Sequence, residues 1–262
     1  MAGKIIEDKR ISSRKRKATI RKIFSVLWII LIIALFVAII WGLNYFYNSD
    51  YFKIKNIEIK GNNYYKSEVI VSEAEDLKGT NIFEIDKRKY ETALMNNFAR
   101  IKKAEILKVF PDKLIINITE RIPFLIILYK NDYFLIDNEG VVLEKVTENV
   151  DKYNNLLIVK DAINYFPEIG IKIARKNILS SAIIYNGLSD DIKKKIKYGG
   201  IINNSSGDIY FETIDYKKII FGNSNEIIKK NAILEQILKN IQNENIYYSI
   251  IDLRISDNPI VE

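Results

Sequence analysis

The stretch from Ile23 to Leu43, IFSVLWIILIIALFVAIIWGL, contains no charged residue. A helix rising 1.5 Å per residue carries such a run about 32 Å, which matches the roughly 30 Å hydrocarbon core of a bilayer. The run therefore predicts a transmembrane helix over residues 23–43, with Trp28 inside it and Trp41 near its far end. A secretory signal usually has an apolar region of only about 7 to 15 residues and closes on an A-x-A-like cleavage site. This run is longer, and its exit, Trp41-Gly42-Leu43-Asn44-Tyr45-Phe46-Tyr47, offers no such pair of small residues. The expectation is an uncleaved anchor. Tyr45, Phe46 and Tyr47 read either as an aromatic belt at the outer interface or as the start of a linker.

Charge sets the expected orientation. The residues before Ile23 hold nine basic side chains, among them Arg14-Lys15-Arg16-Lys17, against Glu7 and Asp8. That excess is the whole net charge of +7, since the remaining basic and acidic residues balance. Basic flanks resist translocation, so residues 1–22 are expected in the cytoplasm and everything beyond Asn44 outside. The high isoelectric point is accordingly a topology signal. No basic patch with interleaved aromatics recurs downstream to suggest nucleic acid.

The chain has neither cysteine nor histidine. An extracytoplasmic fold must then be held by packing without disulfides, and Ser-His-Asp, Cys-His and His-ligated zinc chemistry are excluded. Carboxylates remain. Glu73, Glu75 and Asp76, and Asp190-Asp191 beside Lys193-Lys194-Lys195, read as solvated faces, because neither cluster offers an apolar wall to separate two carboxyl pKa values. No phosphate-binding glycine loop is present, and Gly199-Gly200 reads as a turn. Asp137-Asn138-Glu139 lacks a full set of oxygen ligands for calcium and reads as a hairpin turn. No cofactor or metal is expected.

The outer region fits two domains by size. Lys53 to Gly61 alternates as a strand and closes on a turn. Ser67 and then Asp86 begin two helices, the second with Tyr90, Ala93, Leu94 and Phe98 on one face. Lys103 to Phe110 and Leu114 to Arg121 are strands around Pro111-Asp112, the second with Leu114, Ile116 and Ile118 inward. The order is strand, helix, helix, strand, strand. Further on, Phe124–Tyr129, Tyr133–Ile136 and Val141–Leu143 read as strands and about 175–185 as a helix. Gly207–Phe211 and Ile219–Phe221 form another hairpin. Glu226 to Ile241 is an amphipathic helix with Ile227, Leu234, Leu238 and Ile241 on its apolar face and Lys229, Lys230 and Lys239 largely off it. Tyr248 to Ile255 is a closing strand. The predicted class is α+β: a transmembrane helix, a β-α-α-β-β domain, then a mostly antiparallel sheet with packed helices.

That order, together with Phe110-Pro111-Asp112-Lys113-Leu114-Ile115-Ile116-Asn117-Ile118-Thr119-Glu120-Arg121-Ile122-Pro123 directly after a single anchor, resembles the POTRA domain of the FtsQ/DivIB family of cell division proteins. Phe134-Leu135-Ile136-Asp137-Asn138-Glu139-Gly140-Val141-Val142-Leu143 is similar to the hairpin opening the family's second domain. Ile251-Asp252-Leu253-Arg254, followed by Pro259, resembles its closing strand. The resemblance divides the chain into a basic cytoplasmic segment (1–22), the span (23–43), a POTRA domain (51–122) and a C-terminal β domain (123–262).

The resemblance implies a bitopic division scaffold, not an enzyme, expected at the septum. It would bind FtsL-type and DivIC/FtsB-type bitopic partners outside the membrane and help to localise and regulate septal peptidoglycan synthesis. The last strand leaves unpaired edge groups on which another chain can dock. Carried over residue by residue, partner binding falls on Tyr248, Ile250, Asp252, Arg254, Ile255 and Ser256, with Pro259, Ile260 and Val261 just beyond. Arg254 is open to two readings, a contact for an acidic partner residue or an ordinary exposed pair with Asp252. Glu120, Arg121 and Pro123 are expected as an interdomain hinge, Pro123 holding Ile122 extended. The competing functions are a POTRA-type chaperone or translocation receptor, and a membrane-anchored cell-wall enzyme using carboxylates.

Overall fold

The computed structural model describes residues 2–147, 150–203 and 205–262, with side chains described from Ser25 onward. The side chains of the basic segment 1–22 therefore lie outside the described residues. Two compact units emerge: Met1–Ile57 with Glu75–Ile85 and Lys108–Leu114, and Glu58–Ala74 with Asp86–Leu107 and Ile115–Glu262.

The first unit begins with α1 (Ala2–Tyr47). Its segment Ser25–Tyr47 is long and apolar enough to cross a membrane, and every side chain along it is exposed. A buried core helix would hide such side chains, so this one is solvated by something other than its own chain. A 3-10 turn (Asp50–Phe52) follows, capped by the Ser49 hydroxyl accepting from the Tyr51 N–H. Phe52 and Ile54 then turn inward with Leu77 and Ile82 as buried residues.

The second unit carries most of a three-stranded sheet in the order β1-β3-β2, built from β1 (Asn56–Lys60), β2 (Ile101–Val109) and β3 (Lys113–Glu120). Between β1 and β2 come α2 (Ser67–Ser72) and α3 (Lys87–Asn97). Leu114, Ile116 and Ile118 all point inward, as period-2 patterning requires. Asp86 caps α3 by accepting from the Arg88 and Lys89 N–H groups. Ser67, in contrast, is the first residue of α2, whose cap position is Lys66 without a side-chain bond. At the end of β1 the backbone of Gly61 is left-handed (φ +81°), and a Cβ there would lie 2.2 Å from the Ile118 carbonyl oxygen. Only glycine fits that approach.

The rest of the unit is a nine-stranded sheet. Its strands are β4 (Pro123–Tyr129), β5 (Asp132–Asp137), β6 (Val142–Val146), β7 (Ile158–Lys160), β8 (Ile196–Ile201), β9 (Ile209–Thr213), β10 (Lys218–Gly222), β11 (Ile250–Asp252) and β12 (Ile260–Val261). They lie in the order β12-β11-β10-β9-β8-β7-β4-β5-β6. Pairing is antiparallel except at β4–β7, β7–β8 and β10–β11. Helices α4 (Lys176–Asn186), α5 (Asp190–Lys193) and α6 (Ile227–Glu244) complete it. The main core joins Leu125, Ile127, Val159, Phe211, Phe221 and Ile251 of the strands to Ile178, Ile184 and Leu234 of the helices. Each such side chain contributes about 1.5–3 kcal/mol on burial.

Two expectations are corrected here. Gly199 and Gly200 are not a turn but the middle of β8, where Gly200 faces Tyr210. The phenol of Tyr210 lies across it, so that a Cβ on Gly200 would meet the ring at 2.3 Å. The glycine makes room for a neighbouring aromatic, a use that local sequence does not reveal. Lys230 is not off the apolar face of α6 but 2% exposed within it. Its ammonium donates to the Phe221 carbonyl at 2.7 Å, and burial lowers its pKa.

Where β3 runs into β4, two ion-pair groups inside this unit tie the strands together. Arg100, its side chain 7% exposed, bonds Glu144 on β6 at 2.8 Å and lies 4.0 Å from the Tyr64 ring centroid. Tyr64 also donates its hydroxyl to Glu144, and Tyr153 bonds the same carboxylate. Burial opposes ionisation of Glu144, but the bonds from Arg100 and Tyr64 hold its carboxyl below the ordinary value of 4.5. Tyr64 is pushed up to about 12, first by its bond to Glu144 and then by burial. Beside this, Arg121 reaches Asp137 at 2.6 Å and Glu139 at 2.7 Å, and Lys102 reaches Glu139 at 3.0 Å. Asp137 is 1% exposed and also accepts from the Glu139 and Val141 N–H groups, which makes the β5–β6 turn. Glu120 accepts from the Tyr64 N–H at 3.0 Å, and Pro123 opens β4.

Removing one partner of a buried pair strands the other charge. Arg100→Met should lower the stability of the detergent-solubilised chain by about 3 kcal/mol in urea unfolding. Lys145→Ala, which breaks an exposed pair with Asp132, should cost no more than about 1 kcal/mol. The lowered Glu144 value means its contribution is full above pH 4.5 and is lost as the pH falls through the folded value; the Arg100→Met chain should show a shallower acid limb. The raised Tyr64 value has the opposite sense, present below pH 10.0 and lost as the pH climbs towards about 12. Gly61→Ala should destabilise by more than about 1 kcal/mol, read in the same titration.

Candidate partner-binding edge

The C-terminal end of the nine-stranded sheet is where the residues implicated by resemblance gather. The expected closing strand Tyr248–Ile255 is shorter than predicted: β11 spans Ile250–Asp252 and lies inside the sheet, parallel to β10 on one side and antiparallel to β12 on the other. The outermost strand is thus β12, so Ile260 and Val261, placed just beyond the strand from sequence, form the edge itself. The reason is a turn through Ser256–Pro259, with the Asn258 N–H bonded to the Ile255 carbonyl, that folds the chain back on itself.

The hydrogen-bond pattern decides what this edge can offer. Glu262 and Ile250 exchange both backbone bonds, with Glu262 N–H to Ile250 at 2.9 Å and Ile250 N–H to Glu262 at 3.0 Å. In an antiparallel ladder alternate residues point the other way, so the N–H and C=O of Val261 project outward. Pro259, two residues earlier, contributes a carbonyl but has no N–H to give. The rail for an incoming strand is short and centred on Val261.

The nine residues do not share one environment. Ile255, Ile260 and Val261 are exposed, Ile255 most of all at 66%. Asp252, Arg254, Ile255 and Ile260 line one shallow groove of about 450 Å³, together with Asp208 and Gly222. Ile250 is half-buried beside it in β11. Tyr248 and Ser256 are buried: Tyr248 packs in the main core, and the Ser256 hydroxyl donates to Glu226 at 2.9 Å. Both act as supports of the edge.

Arg254 is already engaged. Its Nε and Nη2 donate to the Asp252 carboxylate at 2.9 and 2.6 Å, and Asp208 lies 3.7 Å away. Burial works against the Asp252 carboxylate, yet the bonds from Arg254 hold its pKa below the ordinary value. With two carboxylates around its guanidinium, Arg254 meets a partner only by sharing those bonds. Gly222 (φ +74°) admits it, since a Cβ there would lie 3.0 Å from the Arg254 Cγ. Asp208 and Gly222 escaped sequence reasoning because they belong to the hairpin two strands away. A glycine closing an apolar strand was the one signal available. Glu120, Arg121 and Pro123 lie apart from this edge, at the β3–β4 junction already described.

Comparison with known proteins agrees with this architecture. A family model described as the POTRA domain, FtsQ-type, matches residues 52–121. The chain is 30% identical over 227 residues to the cell division protein DivIB of Clostridium botulinum strain Hall, covering 73% of this chain and 85% of the relative. It is 36% identical over 98 residues to the cell division protein FtsQ of Syntrophotalea carbinolica, covering 37% of this chain and 34% of that one. A DivIB of Clostridium acetobutylicum is 35% identical over 104 residues, with 40% and 41% covered. By the length and strength of these matches the chain belongs to the FtsQ/DivIB family of cell division proteins.

Proposed function

We propose that this protein is a bitopic scaffold of the division machinery that acts by binding and not by catalysis. In this reading residues 1–22 stay in the cytoplasm, 23–43 span the membrane, and a POTRA domain (51–122) and a C-terminal β domain (123–262) work outside it. The C-terminal edge receives an extended segment from FtsL-type or DivIC/FtsB-type bitopic partners, and through them the protein helps to localise and regulate septal peptidoglycan synthesis.

The observation that carries the reading is the outward N–H and C=O of Val261, on an edge where Ile255 and Ile260 are also exposed. Strand addition draws affinity from main-chain bonds and selectivity from side-chain pockets beside them, and the groove holding Asp252 and Arg254 is such a pocket. Confinement of several weakly bound partners to one membrane raises their effective concentration, so a rail this short suffices in company.

Val261→Pro removes the one outward donor while leaving the bonds that β12 makes to β11. Crosslinking and co-purification of the full-length chain from membranes should then lose DivIC-like and FtsL-like proteins, while a Val261→Thr chain keeps them. Retention of both partners by the proline variant would refute docking at this edge. A fluorescent tag at the amino end should gather at mid-cell and stay shielded from protease added to whole cells; a tag that is cleaved from outside would reverse the proposed orientation.

A further inference from the structure

We propose that the first unit rests on the membrane: the aromatic side chains of Phe83 and Phe110 sit in the outer interfacial layer of the bilayer beside Tyr47. The inference relies on α1 being the membrane span and extends it to residues far away in sequence.

Depth follows from helix geometry. Tyr47 lies four residues past Leu43, the last residue of the apolar run, or about 6 Å along the axis. The interfacial layer beyond the hydrocarbon core is roughly 5–7 Å deep, so Tyr47 falls within it. The rest of the unit is held to that position by direct contact. The Tyr47 ring stacks on Phe83 at 5.1 Å, and Phe83 lies 5.2 Å from Phe110 at the tip of the β2–β3 hairpin. Phe52 bridges Phe46 and Phe83 at 4.9 and 5.0 Å. The Asn81 amide donates to the Tyr47 carbonyl at 2.6 Å, which ties the loop bearing Phe83 to the helix end.

These rings remain open to their surroundings. Phe110 is 55% exposed and Phe83 40%, with Tyr51 and Phe46 also exposed nearby in the chain. An apolar patch of this kind marks a surface that meets something other than water. Its occupant is fixed by continuity: the patch begins on the side chains of α1 where that helix leaves the apolar run. Tyrosine is enriched in this layer, and phenylalanine is buried at its acyl boundary on the apolar faces of interfacial segments.

The charges around the patch balance, with five acidic and five basic side chains over residues 50–57, 75–85 and 108–114, and so supply no net basic attraction to lipid. Lys53 pairs with Asp50 at 2.7 Å and Lys55 with Asp112 at 3.1 Å. Lys108 donates to the carbonyls of Phe83 and Ile85 at 3.3 Å. The contact is therefore carried by rings, and salt should leave it unchanged.

The chain has two tryptophans, Trp28 and Trp41, so a lone reporter is simple to build. The full-length protein carrying Trp28→Phe, Trp41→Phe and Phe110→Trp would be placed in zwitterionic bilayers containing lipids brominated near the headgroup end of the acyl chain. Its emission should be blue-shifted and should lose most of its intensity to the bromines, equally at low and high salt. A companion chain with only Trp41→Phe leaves Trp28 as its lone tryptophan, which should be quenched by deeply brominated lipid. Water-like, unquenched emission from position 110 while Trp28 is quenched would overturn the inference and leave the span intact. Loss of quenching at both positions would overturn the span and the inference with it. Quenching at position 110 that disappears in high salt would replace the aromatic contact with an electrostatic one and would equally refute it.

Discussion

The C-terminal edge depends on one parallel pairing, that of β10 with β11. Parallel neighbours cannot be joined by a tight turn, so the chain must cross over between them, and α6 is that crossover. Leu234 and the stem of Lys230 seat α6 on the sheet, and the Lys230 ammonium is bonded to Phe221, the penultimate residue of β10. That seating delivers Ile251 opposite Ile219 and so sets the register in which β12 can return. A slip of one residue would turn Ile251 out of the core and reverse which backbone groups face outward.

A buried lysine is an expensive device when a leucine would fill the same slot. Its position here gives a reason: the carbonyl it satisfies lies at the end of β10, next to Gly222 and the Arg254 side chain that Gly222 admits. The Glu226–Ser256 bond joins the start of α6 to the turn before β12. Core, crossover and edge are thus one connected arrangement. The β3–β4 junction is of a different kind. There, Arg100 and Arg121 each converge on carboxylates of the β5–β6 hairpin, an electrostatic clasp in which Arg100 and Asp137 are buried and each charge depends on its partner.

Much of the fold was legible because it follows from periodicity. Leu114, Ile116 and Ile118 alternate and are buried, and Asp86 caps a helix where an Asp before a helical face should. The edge was legible only in part. Ile260 and Val261 were placed near it, but as neighbours of a strand that proved internal. Tyr248 and Ser256 were named for contact and are buried supports. Lys230 illustrates a missed signal: Ile227, Lys230, Leu234, Leu238 and Ile241 repeat at three and four residues, so the lysine stood on the apolar face, and only its charge argued otherwise.

By itself the sequence determined what depends on composition and local repeat: a helix of bilayer length, the excess of positive charge before it, the order of strands and helices as far as β6, and the absence of cysteine and histidine chemistry. The tertiary structure alone decided which backbone groups are left over. Whether Val261 faces outward, whether Gly200 bends a chain or makes room for Tyr210, and whether Phe83 and Phe110 meet Tyr47 are all settled by residues ten or more positions apart. Pairing between distant segments consumes some hydrogen-bonding groups and apolar faces and spares others, and no local pattern records which.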